Sequence, residues 1–241
     1  MSSGPDHPGR PSRSRAPGRR PTAPKIPRGV LAPATLPDHD LEEEAEFGRL
    51  EFAGLDLSGR DAALVEFDAC RFVDTRLGGT ELDRSRCFDC RFESCDLANL
   101  SARSTALVRA ALQNSRATGL RWTEGTLRDV VFDKCKLDLS AFHETKFERV
   151  RFEGCNLAQA DFMDADLSGG VEFVDCDLSQ ARFSQARMNG AVLTHCVLDG
   201  IEGVTSLRGA VIDPMDLLSL SYTLAQALGI VIAADDAEEA L

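Results

Sequence analysis

Cys155-Asn156-Leu157-Ala158-Gln159, followed by Ala160-Asp161-Phe162-Met163-Asp164, reads twice as a small residue, a polar residue, a Leu or Phe, and two outward residues. The stride is five. A helix repeats its apolar face every three to four residues and a flat strand every two, so neither accounts for it. Stepping by five from Phe47 to Leu167 gives 25 positions, of which 20 are Leu or Phe. After Leu167 the series gains one residue beside Gly169 and Gly170, then resumes as Phe173, Leu178, Phe183, Met188, Leu193 and Leu198. With that shift, twelve of the thirteen phenylalanines fall in register and only Phe88 does not. Two residues before most of these Leu or Phe positions the side chain is small, as at Ala45, Val65, Cys70, Thr75, Cys95, Ala160 and Ala165.

The sequence itself tests how many strides close one coil. If twenty residues make a turn, positions twenty apart stack and favour like with like. Phe52, Phe72, Phe92, Phe132, Phe152 and Phe173 form such a column, broken by Leu112 and followed by Leu193. Leu57, Leu77, Leu97, Leu137, Leu157, Leu178 and Leu198 form the next, broken only by Ala117. Coils stacked at the strand spacing of about 4.8 Å give roughly eight turns and a rod of about 40 Å. Each buried Leu or Phe contributes about 1.5–3 kcal/mol, so these two columns are the structural core.

The small-polar-Leu/Phe-x-x units resemble the pentapeptide-repeat family over about residues 41 to 212. The resemblance implies an all-β, right-handed quadrilateral β-helix with four units to a coil. It divides the chain into a disordered Pro/Arg-rich tail (1–40), the β-helix (41–212) and a C-terminal capping and dimerisation helix with an acidic tail (213–241). Members of that family bind type II topoisomerases, chiefly DNA gyrase, as acidic rods resembling duplex DNA, and protect bacteria against quinolones. Those members are dimers joined at C-terminal elements. The expected function is therefore a non-enzymatic interaction protein that binds gyrase as a DNA mimic, the alternative being a general scaffold for a partner not named by the sequence.

Composition bounds the remaining choices. The 241 residues are 43% hydrophobic and 27% charged, with a net charge of −12. No apolar run approaches a membrane span, so no membrane partner is expected. The first residues carry charge and proline where a secretory signal needs an apolar run, which places the chain in the cytoplasm with its eight cysteines reduced.

The charge is unevenly distributed. Residues 1–40 total +4, with six arginines and Lys25 against Asp6, Asp38 and Asp40. Residues 41–68 total −7, residues 209–241 total −6, and residues 69–208 only −3. Arg103, Arg109, Arg116, Arg121 and Arg128, opposed by Glu124 alone, read as a locally basic segment. A 40 Å duplex mimic needs about 23 negative charges at one per 1.7 Å, and the nearly neutral shaft weakens that analogy. A nucleic-acid binder using the Arg-rich tail is a third reading, though direct nucleic-acid binding is not the expectation.

No catalytic residue, metal ligand or cofactor site is expected. His7 and His39 lie in the tail, and His143 and His195 on outward repeat positions outside any nucleophile, metal or phosphate motif. Cys87-Phe88-Asp89-Cys90 has the spacing of a redox pair or half a zinc site. The register turns both sulfurs inward, which favours packing, as it does for the column Cys95, Cys135, Cys155, Cys176 and Cys196.

After Ile212 the stride disappears. Asp213 as N-cap and Pro214 at the first helical position predict a helix, with Gly229 as its stop. Leu217, Leu218, Leu220, Leu224, Leu228 and Ile230, continuing into Val231-Ile232, exceed what one cap requires and are the expected homodimer interface. Phe88 falls one position after the inward Cys87. It either points to solvent as a partner contact or is buried by a local register slip. Trp122 reads as an inward replacement for Leu or Phe.

Overall fold

The structure, a computed structural model, describes residues 20–25 and 31–231. Its backbone is a parallel solenoid of about nine turns. One face stacks Phe52 on Phe72 and Phe72 on Phe92, and the next stacks Asp56, Arg76 and Asp96 through isolated bridges. A third stacks Asp61, Glu81, Ser101 and Arg121, and the fourth Glu46, Glu66, Arg86 and Ala106. Each of these pairings joins residues twenty apart, the coil length the like-with-like columns predict. The bridges leave few backbone groups without a partner in the coil above or below, which is the condition for burying a chain of very short strands.

The one-residue insertion sits where the sequence places it. Lys146 pairs with Asp166, but Glu148 pairs with Gly169 and Phe152 with Phe173, so the offset rises by one at this bulge. Gly169 is required there because a Cβ would run into the carbonyl oxygen of Phe147. Gly170 follows at φ +91, a backbone region that L side chains rarely adopt.

All thirteen residues expected as structural core are buried, from Phe52, Leu57 and Phe152 at 0% exposure to Phe92 at 8%. Rings within the phenylalanine column lie nearly parallel: Phe72 and Phe92 are 4.5 Å apart at 5°, and Phe132 and Phe152 are 4.8 Å apart at 7°. Leu112 interrupts this stack. Beside it lies a wholly apolar cavity of about 40 Å³, lined by Phe72, Phe92, Leu107, Leu112, Trp122 and Phe132 among others. Trp122 is inward as expected and 8% exposed.

The small inward positions hold Thr, Ser and Cys for a reason beyond size. Thr and Cys side chains there donate to a carbonyl of the preceding coil, as Thr75 Oγ1 does to the Phe52 carbonyl at 2.7 Å, Thr105 Oγ1 to Leu82 at 2.6 Å, and Cys155 Sγ to Phe132 at 3.4 Å. Thr105, Ser85 and Ser115 also accept from the amides of Ser85, Val65 and Cys95 in the coil before.

The N-terminal boundary differs from expectation. Ala32–Pro33 pair with Leu50–Glu51 and Ala34 is buried, so the solenoid begins about ten residues before 41, which accounts for nine turns rather than eight. Residues 20–25, expected within the disordered tail, hydrogen-bond to the shaft: the Thr22 amide donates to Asp129 at 3.0 Å and the Lys25 amide to Asp89 at 2.8 Å. Residues 1–19, with His7 and the Arg10–Arg15 run, and 26–30 lie outside the described residues.

At the other end, α1 (Leu217–Ala227) begins later than predicted, and Asp216 rather than Asp213 is its N-cap residue. Asp213 instead accepts from the Met215 amide at 2.9 Å in a preceding turn. The Asp216 carboxylate is 8% exposed and accepts from the Cys196 amide at 2.9 Å. Position 216 is twenty residues after Cys196, where Ser115 stands relative to Cys95, so Asp216 terminates the ladder that the rod end would otherwise leave open. Gly229, at φ +70, stops the helix: its amide and that of Ile230 return to the carbonyls of Gln226 and Ala225. No described helix is long and apolar enough to cross a membrane.

Candidate protein-interaction surfaces

Inward side chains fill the rod, so its recognition chemistry lies on the outward columns, and charges there stack across coils. Arg76 reaches Asp56 at 3.3 Å, Arg86 reaches Glu66 at 3.1 Å, Arg103 reaches Asp83 at 3.0 Å, and Arg116 reaches Asp96 at 3.3 Å, each twenty residues back. Arg109 on Asp89 and Arg149 on Asp129 are two-pronged, with contacts of 2.6 and 2.7 Å. The guanidinium of Arg149 holds the Asp129 carboxyl down to about 2 against the opposing effect of burial. The first four pairs are exposed and contribute at most about 1 kcal/mol each, but they neutralise charge on the surface. The basic segment expected around Arg103–Arg128 is corrected accordingly: Arg103, Arg109 and Arg116 are matched by acids of the coil before. Arg121 and Arg128 alone of that group lack an ion-pair partner among the described residues.

Acidity that is not neutralised is densest at the N-terminal end, with Asp74, Glu81, Glu124, Glu144, Asp164 and Asp199 spread more thinly along the shaft. Glu42, Glu43, Glu44, Glu46, Asp61 and Asp68 are exposed and outside every ion pair among the described residues. Of the six acids in 209–241, Asp213 and the capping Asp216 are described, and Asp235, Asp236, Glu238 and Glu239 lie outside the described residues.

Two family models match: "Pentapeptide repeat region" over residues 85–162 and "Pentapeptide repeats (9 copies)" over 152–197. Together with the twenty-residue coil and its inward Leu/Phe columns, they decide the family. This chain is a pentapeptide-repeat protein. No curated protein matches it significantly. Among solved structures, this pentapeptide-repeat protein is similar to a trypsin-treated form of QnrB1, a plasmid-mediated fluoroquinolone resistance protein. That match has 22% identity, covers 78% of this chain and 100% of that one, and has a TM-score of 0.38. It is also similar to HetL, a pentapeptide-repeat protein involved in heterocyst differentiation regulation from Nostoc sp. strain PCC 7120. Here identity is 18%, coverage 73% and 92%, and TM-score 0.26.

The residues singled out from sequence occupy different environments. Cys87 pairs with Phe67 and Leu107 and is buried, while Phe88 pairs with Asp68 and Val108 on the outward side and is half buried, so no register slip occurs. Burial pushes the Cys87 thiol up to about 12 and the Cys90 thiol well above its usual range. All eight cysteines are free and buried, and the pentapeptide-repeat protein uses them as packing residues and weak donors. His143 lies 3.1 Å from Asp161 and His195 3.4 Å from Asp175, both as ion-pair positions of the outward columns.

On the C-terminal helix, Leu217 is 50%, Leu218 74%, Leu228 76% and Ile230 55% exposed. Leu220 and Leu224, expected in the dimer interface, are corrected: Leu220 is completely buried in the cap and Leu224 packs partly against the core. Ile232 lies outside the described residues. Sequence reading missed the alternation of Asp89, Arg109, Asp129 and Arg149 down one column. The signal was present, since the same twenty-residue comparison that exposed the phenylalanine column also aligns these charges.

Proposed function

We propose that this pentapeptide-repeat protein is a non-catalytic, cytoplasmic interaction rod that engages a protein partner through its outward columns and pairs with a second copy through α1. The observation that carries this reading is the division of the chain: inward positions make a continuous apolar core, and polar groups are arrayed outward on flat columns with mutual ion pairs. The homodimer is supported by the helix face bearing Leu217, Leu218, Tyr222 and Leu228, each half or more exposed. Light scattering on the full chain and on Leu218→Glu/Leu228→Glu tests it. The native chain should run at twice the mass of the variant, and a monomeric native chain would remove the dimer.

A gyrase or other type II topoisomerase partner, with protection against its inhibitors, is the second reading. The acidic end around Glu42–Glu46, Asp61 and Asp68 favours it. Because many of the shaft acids are paired, DNA-like charge on this rod is densest in the first coils and thinner along the shaft, where Asp74, Glu81, Glu124, Glu144, Asp164 and Asp199 are exposed outside any ion pair among the described residues. A gyrase supercoiling assay, with and without a fluoroquinolone, should respond to the purified protein and lose that response when Glu42, Glu43, Glu44 and Glu46 become Gln. No response from the native protein leaves the scaffold reading alone.

A further inference from the structure

Arg20–Lys25 lies along the rod rather than around it. Its amides of Thr22 and Lys25 reach Asp129 and Asp89, which are forty residues, or two coils, apart. Two coils at about 4.8 Å span about 9.6 Å. Three residues of polyproline II span about 9.3 Å, so a segment in that conformation matches the spacing of the two carboxylates without strain. Pro21 and Pro24, one polyproline turn apart, are half buried, whereas Arg20, Thr22, Ala23 and Lys25 are exposed. Proline suits this geometry because its ring presets φ, and the donating amide belongs in each case to the residue that follows it.

The shaft is shaped to receive such a strand. Asp89 and Asp129 are only 8% and 6% exposed, and each is fixed by a two-pronged arginine from the next coil. In each carboxylate Oδ1 accepts both the arginine Nε and the amide of the strand, while Oδ2 is taken by the guanidinium terminus. Val108 stands on an outward position between the levels of Asp89 and Asp129, yet it is 4% exposed, and Phe88 beside Asp89 is half buried. Arg20–Lys25 is anchored at the levels on both sides of this shielded valine.

We propose that the strip of Phe88 and Val108, edged by Asp89 and Asp129, is a recognition groove for a polyproline strand with donor amides three residues apart. Residues 20–25 of this chain are its intramolecular occupant. The arm thus closes this face of the rod, and a partner that uses the face must displace it. This inference is independent of any topoisomerase, since it rests on the arm and the groove alone.

Two measurements on the full chain test it. In residue-resolved hydrogen exchange, the amides of Thr22 and Lys25 should be protected at least about tenfold, the scale of a hydrogen bond to a charged acceptor. Asp89→Ala/Asp129→Ala should abolish that protection while the Phe152 amide stays protected. Because those substitutions strip partners from Arg109 and Arg149, a second variant, Pro21→Gly/Pro24→Gly, leaves the rod untouched and loosens only the arm. A fluorescent peptide Arg-Pro-Thr-Ala-Pro-Lys should bind that variant at least about tenfold more tightly than the native chain, whose groove is filled. Unprotected Thr22 and Lys25 amides in the native chain, or equal peptide binding by the two chains, would overturn the proposal.

Discussion

Leu112→Phe should stabilise this protein by about 1–2 kcal/mol, an unusual sign for a core substitution that enlarges a side chain. The magnitude follows from the break in the phenylalanine column. Rings at Phe92 and Phe132 stand two coils apart with Leu112 between them, and the cavity of about 40 Å³ lies at that level. At about 24 cal/mol per Å³, a void of this size costs about 1 kcal/mol. A ring at 112 would also join two neighbours at the 4.5–5.0 Å separations found elsewhere in the column. Each such pair contributes about 0.5–1.5 kcal/mol beyond burial. Part of that gain is offset by imperfect fit, since overpacking typically costs about 1–3 kcal/mol.

The assay is guanidinium denaturation followed by the fluorescence of Trp122, the single tryptophan, which itself lines the cavity. The midpoint should rise with an unchanged slope. Leu193→Phe is the control: Leu193 continues the same column but is completely buried and does not line the cavity. There the same chemistry should destabilise. If Leu112→Phe lowers the midpoint, or if both variants move it in the same direction, the claim that the Leu112 break leaves usable space is wrong.

Gly169→Ala should cost about 2–3 kcal/mol, because its Cβ meets a backbone carbonyl that cannot swing away; thermal melting of the variant checks this. Asp216→Ala leaves the buried Cys196 amide without an acceptor, so the last coil should loosen by about 1–3 kcal/mol, seen as faster exchange of that amide while the Phe152 level is unaffected. The cysteines should be silent toward a thiol reagent in the native protein and react only in denaturant, since all are buried and burial, with the neighbouring Cys70, pushes Cys87 up to about 12; prompt labelling at neutral pH would contradict the packing role. Asp129 is held down to about 2, so the folded chain binds fewer protons than the unfolded one between about pH 4 and pH 2. Its contribution, about 2 kcal/mol, is present above that window and lost as the pH falls through it. Denaturation curves at pH 5 and pH 2.5 should therefore converge by that amount in Asp129→Asn.

The fold was legible because its dominant energy term is written at a fixed stride. Twelve phenylalanines and the leucine column name the coil, and even the single insertion shows as a slip at Gly169-Gly170. What the stride could not show was where it stops mattering. Residues 31–40 join the first coil through backbone pairing that no apolar pattern announces, with Pro33 as one of the paired residues. The helix start moved from Asp213 to Asp216 because the stacking ladder, a contact twenty residues distant, outweighs the local Asp-Pro signal. Leu220 and Leu218 are equivalent in sequence, and only the placement of α1 against Val204–Leu207 separates the cap residue from the exposed one.

Charge was the least legible property, for a related physical reason. A linear count treats Arg103, Arg109 and Arg116 as a basic cluster because they are near one another in sequence. In a solenoid the nearest neighbour of an outward side chain is the one twenty residues away, at about 4.8 Å. Like charges at that distance repel, so a column that alternates Asp89, Arg109, Asp129 and Arg149 gains where a uniformly acidic column would lose. Self-pairing and duplex mimicry therefore compete for the same positions, and along the shaft self-pairing has taken many of them. At the N-terminal end the opposite arrangement persists: Glu46 stacks on Glu66 and Asp61 on Glu81, at some cost to stability. A partner that reads negative charge would meet it most densely at that end, whereas one that approaches the side of the rod would meet partly self-paired ladders and the strand of Arg20–Lys25.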